Sequence, residues 1–323
     1  MTKTSTSKAA TLLLSAALAL TAAAPLAAQE STPPPDSELV SETASQLPAA
    51  DLPTMNEQGH SFEFSSTFNG SLTDVPTEAP VYSMVMPTYT AEQVQERAAG
   101  LGLDGEIQDL GNDTYAVEGD SGSLFVTPGR LQFISSEAAP EGDLPSDETA
   151  IASAREFLRV NNLLPANVGE GAILARVEDP GRIVVGFKPV SPSPIISSNP
   201  NVTATVGPEG AILEATYNWA DIAAGETYQL RGAEAAWSEV ESRRAWVDAS
   251  LPTDQFAPGS NVSGAVEYTR VSIAYTTSGV PGEQQYLQPV YVFEGTLSPD
   301  GSDQTFPVTA YVPALINANQ PVG

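Results

Sequence analysis

The sequence predicts an α+β fold built of repeated modules, each one helix followed by antiparallel strands, behind an N-terminal disordered stalk. Two observations predict the modules and a third predicts the stalk. Amphipathic stretches with helix-start signals recur near residues 90, 146 and 231. Each is followed by short apolar or alternating runs separated by turn residues, the order expected of helices packed on antiparallel sheets. Residues 29 to about 58 are rich in Pro, Ser and acids instead.

In chain order, residues 1–28 read as a cleavable signal peptide. Lys3 and Lys8 precede an apolar run from Ala9 to Ala24, which Pro25 and the small pair Ala27–Ala28 close. That run is shorter than the roughly 20 residues a membrane-spanning helix needs. The expectation is therefore a secreted or cell-envelope protein with no stable membrane insertion after cleavage. Residues 29–80 read as a disordered or extended acidic linker, too poor in apolar side chains to offset the entropy of ordering.

The first module is expected over 81–140. VYSMVMP reads as a short strand, and Thr90 opens a helix in which Gln93 completes a capping box. Val94, Ala98 and Leu101 share one face, and Gly100 and Gly102 end the helix. EIQDL, DTYAVEG, SLFVTP and RLQFIS follow as strands, with turns at GND, GDSG and PG.

A second module is expected over 141–222. Ser146 caps a helix whose apolar face is Ala150, Ile151, Ala154, Phe157 and Leu158, and Pro165 marks its exit. Strands AILARVE, RIVVGFKPV, NVTATVG and AILEATYNW come next, with SPSPIISSNP at 191–200 as an inserted loop. The third module, 223–323, has a helix at 231–243 with Ala233, Ala236, Trp237 and Val240 on one face, then long C-terminal strands.

Composition excludes several chemistries. The chain has no cysteine, one histidine and a net charge of −27. Disulfides, thiol catalysis, thiolate metal sites and ordinary zinc or copper centres are out. A surface this acidic repels phosphate backbones, so no nucleic-acid partner is expected. Gly119-Asp120-Ser121-Gly122 spells a serine-protease nucleophile motif, but the lone His60 lies only 61 residues ahead of Ser121 and in the wrong setting. A hairpin turn explains those letters better. Asp120-Ser121-Gly122 as an aspartic-protease core lacks both the apolar strand before it and a second copy. Asp109, Asn112, Asp113 and Asp120, or Asp300 and Asp303, could supply oxygens to calcium, although neither set has EF-hand spacing. No catalytic, cofactor-binding or metal-binding residue is assigned, and the expectation is a non-enzyme without cofactor.

TAEQVQERAAGLGL with its strands, ETAIASAREFLRVNNLLP with its own, GAEAAWSEV, and the closing YLQPVYVFEGTL and VTAYVPA together resemble secreted PepSY-like bacterial proteins and the related extracellular YycI-type regulators. The resemblance spans residues 80–315. It implies a non-enzymatic protein that binds or inhibits a peptidase, or modulates a membrane sensor from outside. YycI-type regulators keep a transmembrane anchor, from which a chain cleaved after Ala28 departs. The expected function is exported binding or regulation of a protein or peptide partner. A surface structural or matrix protein, and a carboxylate-dependent hydrolase, are the alternatives. The partner-binding surface is expected on an exposed strand edge formed by Tyr286, Gln288, Val290, Tyr291, Val292 and Phe293.

Overall fold

The protein is described here by a computed structural model over residues 47–52, 59–280 and 284–316. The signal-peptide reading and much of the linker lie outside the described residues. Among those described, three α-helices and fifteen strands form one seven-stranded and one eight-stranded sheet.

Helices α1 (Ala91–Gly100) and α2 (Asp147–Val160) begin at the marked caps. The Thr90 hydroxyl accepts from Gln93 N–H and the Gln93 carboxamide accepts from Thr90 N–H, which satisfies two donors that the first turn leaves unpaired. Ser146 does the same for Thr149 N–H. After α1 come β3 (Ile107–Gly111), β4 (Thr114–Gly119), β5 (Gly122–Thr127) and β6 (Arg130–Ser135); after α2 come β7 (Ala172–Val177), β8 (Arg182–Phe187), β9 (Asn201–Val206) and β10 (Ile212–Asn218). The β3–β4 turn is a two-residue one, with Asn112 and Asp113 both at positive φ (53° and 55°), the left-handed geometry that matches strand twist and that Asn and Asp tolerate.

Separate repeated modules do not form, and this corrects the sequence expectation. The chain is mainly β, and β6 pairs antiparallel with β10, with Gln132 opposite Thr216. That pairing fuses the strands of 107–135 and of 172–218 into one sheet, ordered β3-β4-β5-β6-β10-β9-β8-β7. Each four-stranded run would otherwise leave β6 and β10 as open edges, whose unpaired backbone groups are costly to bury. One face carries both helices: Val94, Ala98, Ala150, Ala154 and Leu158 pack on Val117, Leu124, Leu131, Ile183, Val185 and Val202.

The second sheet gathers strands from both ends of the chain. Its elements are β1 (Ser61–Phe68), β2 (Glu78–Val85), β11 (Asp221–Gln229), β12 (Trp246–Ala249), β13 (Asn261–Ser278), β14 (Gln285–Pro299) and β15 (Phe306–Pro313), with helix α3 (Ala233–Glu241) before β12. The main order is β1-β13-β14-β15-β12, while β2 joins the first residues of β14 and carries β11. β1 corrects the stalk expectation. SFEFSSTF alternates apolar and polar residues and pairs parallel with β13 from Ser61–Asn261 to Phe68–Tyr268. The alternation buries Phe64 against the sheet's core, so this part of the linker gains enough apolar contact to order.

Trp237 of α3 sits among Phe68, Tyr268 and Phe293 at ring separations of 5.4, 5.7 and 5.7 Å. Where the two sheets adjoin, Met84, Ile195, Ala220, Tyr275 and Leu287 form a small apolar cluster. The loop at 191–200 docks there: Tyr275 N–H donates to Pro194 O and Ile196 N–H to Tyr275 O, both at 2.8 Å. Lys188 pins the loop, its ammonium donating to Ile195 O at 2.7 Å and Ser197 O at 2.8 Å. Burial at this junction pushes the Tyr275 hydroxyl up to about 12, and the neighbouring Tyr82 adds to it. Because the unfolded chain releases that proton near pH 10, this contribution to stability is complete below pH 10 and is lost as pH climbs toward 12. Tyr275→Phe is therefore expected to flatten the alkaline fall of the urea midpoint measured between pH 9 and 12; an unchanged slope would refute the assignment.

Candidate functional site

The strand expected to bind a partner is the interior of the seven-stranded sheet. β14 pairs with β13 along Tyr286–Pro299 on one side, and with β2 and then β15 on the other. Val290, Tyr291 and Phe293 are fully buried, Val292 nearly so, and Tyr286 packs half-buried against the α3 core. Gln288 is also buried, donating through Nε2 to Pro48 O and to Ser278 Oγ at 2.6 Å each. An interior strand has no free edge to offer, so strand addition cannot take place along Tyr286–Phe293. Proline at Val290 or Val292 would strike the fold. The continuous apolar run is itself the mark of a strand covered on both faces.

The other candidates do not assemble either. Ser121 Oγ donates to Gly102 O at 2.9 Å, whereas His60 Nδ1 lies 3.1 Å from Ser260 Oγ. Asp109 lies on β3 opposite Tyr115 and accepts from Gly111 N–H at 2.8 Å, while Asp120 is in the turn at the far end of β4, about 17 Å away at strand rise. Asp300 Oδ2 is engaged by Ser263 Oγ at 2.7 Å. Among the described residues no cluster of three acidic or histidine side chains is placed to hold a metal.

Cavities lie at several places among the described residues. One, of about 660 Å³, lies under residues 139–144 and is lined by Glu141, Asp143, Glu178 and Glu214 with Arg182. Another, of about 420 Å³, lies beside α1, where the Arg97 guanidinium covers the Tyr89 ring at 5.5 Å and donates to Asn162 O at 3.1 Å. Burial pushes the Tyr89 hydroxyl well above its ordinary value. This arrangement fastens the ends of the two helices together.

The third differs in kind. It is a cleft of about 390 Å³ between the two end strands of the seven-stranded sheet, β1 and β12, beside the C-terminal end of α3. Phe62, Phe64 and Ser66 form one wall, Trp246 and Val247 the other, and Val240 and Tyr268 lie beneath. Phe62 and Phe64 lie 4.9 Å apart, with the His60 ring 6.2 Å from Phe62. Trp246 is 39% exposed, unusual for an indole in this chain.

Backbone geometry adds a second property. Ser61 N–H donates to Ser260 O at 3.1 Å and Asn69 N–H to Tyr268 O at 2.8 Å. In a parallel ladder, then, odd-numbered residues of β1 turn their backbone groups to β13 and even-numbered ones turn theirs away. Phe62, Phe64 and Ser66 thus supply one cleft wall, apolar at the two phenylalanines, and, on the same residues, the outward N–H and C=O groups. β1 ends the sheet with no strand on its far side among the described residues.

Arg243 stands at the mouth of this cleft. It occupies the residue after the helix C-cap in a Schellman arrangement: Arg244 N–H donates to Glu239 O at 2.8 Å and Arg243 N–H to Val240 O at 3.0 Å. Glycine favours that position because the backbone is left-handed, and Arg243 holds φ = 58°. Its neighbours Arg244 and Arg231 both pair with Glu239, at 2.7 and 3.7 Å. Reading the chain alone missed β1 and Arg243. The alternation of Phe62, Phe64 and Phe68 was the available signal for β1.

No protein family and no curated protein matches this chain. Among solved structures it is similar to an uncharacterized protein from Eubacterium rectale, at 12% identity over 89% of this chain and 99% of that one, with a TM-score of 0.43. It is also similar to the C-terminal domain of YpeB from Bacillus megaterium, at 13% identity over 72% and 94%, with a TM-score of 0.35. Among the described residues no helix is long and apolar enough to cross a membrane.

Proposed function

We infer that the protein is an exported, non-catalytic binding protein that captures an extended peptide segment of a partner by adding it as a strand to the free edge of β1. The observation that carries this reading is the coincidence, on Phe62, Phe64 and Ser66, of outward backbone groups with an aromatic cleft wall. Strand addition draws affinity from main-chain hydrogen bonds and selectivity from pockets for alternate side chains, and both are present along one edge. The basic, apolar and small order of residues 1–28 supports export, and the PepSY-like resemblance implies the same class of activity.

Ser66→Pro gives a direct test. Ser66 N–H points away from β13, so proline there removes an outward donor and leaves the existing ladder intact. An unbiased library of displayed decapeptides is expected to yield binders to the purified protein that lose at least tenfold in affinity against Ser66→Pro, with the melting temperature held within a few degrees. Binders that ignore the substitution would overturn strand addition.

A further inference from the structure

We propose that the β1 cleft selects peptides bearing a carboxylate next to a large apolar side chain, with Arg243 as the residue that reads the charge. The inference rests on the strand-addition reading and extends it to the chemistry of the partner. It starts from an imbalance. The chain carries 40 acidic residues against 13 lysines and arginines, yet no carboxylate lines this cleft and a guanidinium stands at its mouth. Arg231 and Arg244 are both committed to Glu239, while Arg243 has no ion-pair partner among the described residues.

The backbone at Arg243 gives an independent observation. Left-handed backbone is strained for a non-glycine residue, and the Schellman position of α3 accepts glycine without that strain. An arginine at φ = 58° therefore stands against the preference of the helix end. Residues in this conformation are held by the structure around them and cluster at ligand clamps and active sites.

Charge complementarity fixes the occupant. A peptide lying along β1 would place alternate side chains over Phe62, Phe64 and Trp246, and a carboxylate beside them would form a charge-assisted, two-pronged contact with the guanidinium. The protein's overall negative charge does not cancel this. At physiological ionic strength exposed charges more than about 8 Å away are largely screened, whereas a direct contact is not.

The test uses three synthetic octapeptide sets of matched apolar pattern, one neutral, one acidic and one basic, against wild type, Arg243→Gln, Arg243→Gly and Ser66→Pro. The acidic set is expected to bind wild type about tenfold more tightly than the neutral set. Both Arg243 variants should erase that preference. Arg243→Gly should at the same time raise the melting temperature, on the order of 2 °C, so the lost preference cannot be unfolding. Equal binding by all three sets, still lost in Ser66→Pro, would overturn charge selection and leave strand addition standing. Tightest binding by the basic set would also overturn it, giving the selection to the long-range field. Binding that Ser66→Pro does not touch, or no binding by any set, would overturn both readings.

Discussion

Trp237→Ala is expected to cost about 3–5 kcal/mol of folding free energy, the range for removing a large aromatic from a core that cannot collapse around the gap. The indole is 9% exposed and contacts Phe68, Tyr268 and Phe293 from three different strands. Those strands, β1, β13 and β14, are joined by backbone ladders that fix their spacing, which leaves the surroundings little freedom to close in. A functional loss should accompany it, because Tyr268 also lies beneath the β1 cleft and Val240 follows Trp237 by one helical turn. Trp246→Ala is the matched control. That indole is 39% exposed on an end strand, so its removal should cost less than about 1 kcal/mol while weakening peptide capture. Urea denaturation of both variants gives the comparison, and a cost below 1 kcal/mol for Trp237→Ala would refute the central role given to α3.

The elements of this fold were far more legible than their partnership. Thr90 and Ser146 mark the helix starts through a local competition for unpaired N–H groups, which a few consecutive residues contain in full. The turns at Asn112–Asp113 and Asp120–Ser121 are equally local. Sheet order is another kind of information. Whether β6 ends a module or pairs with β10 depends on two edges eighty residues apart, and neither RLQFIS nor ILEATYN names the other. The same limit hid the cleft. β1 meets β13 two hundred residues later, so SFEFSSTF looks like part of a polar linker until its partner is known.

The misplacement of the binding strand has a related cause. The sequence expectation puts Tyr286 to Phe293 at the edge of the last sheet, where an exposed strand can accept an added one. The run is apolar because it is covered on both faces, by the α3 core at Tyr291 and Phe293 and by the cluster of Leu52, Ala274, Val290 and Val292 on the other. β1 shows the opposite pattern, with polar odd positions facing solvent and apolar even positions facing the cleft.

Phe187→Ala is expected to be as costly as Trp237→Ala, at about 3–5 kcal/mol, and to have a different functional consequence. Phe187 is fully buried at the end of β8 in the eight-stranded sheet. The Arg155 guanidinium of α2 lies 5.1 Å from its ring centre, and the ring passes so close to Gly171 that a Cβ there would come within 2.5 Å of it. Removing the ring leaves a void in the core of the eight-stranded sheet and takes away a cation–π contact that helps hold α2 in place. No residue of the eight-stranded sheet lines the β1 cleft. Phe187→Ala, assayed below its lowered melting temperature, should therefore capture peptides with wild-type affinity, whereas Trp237→Ala should not. Denaturation followed by tryptophan fluorescence, with peptide binding measured on the folded fraction, separates the two. Loss of capture in folded Phe187→Ala would mean that the cleft draws its shape from the eight-stranded sheet through the junction of Met84, Ile195, Tyr275 and Leu287.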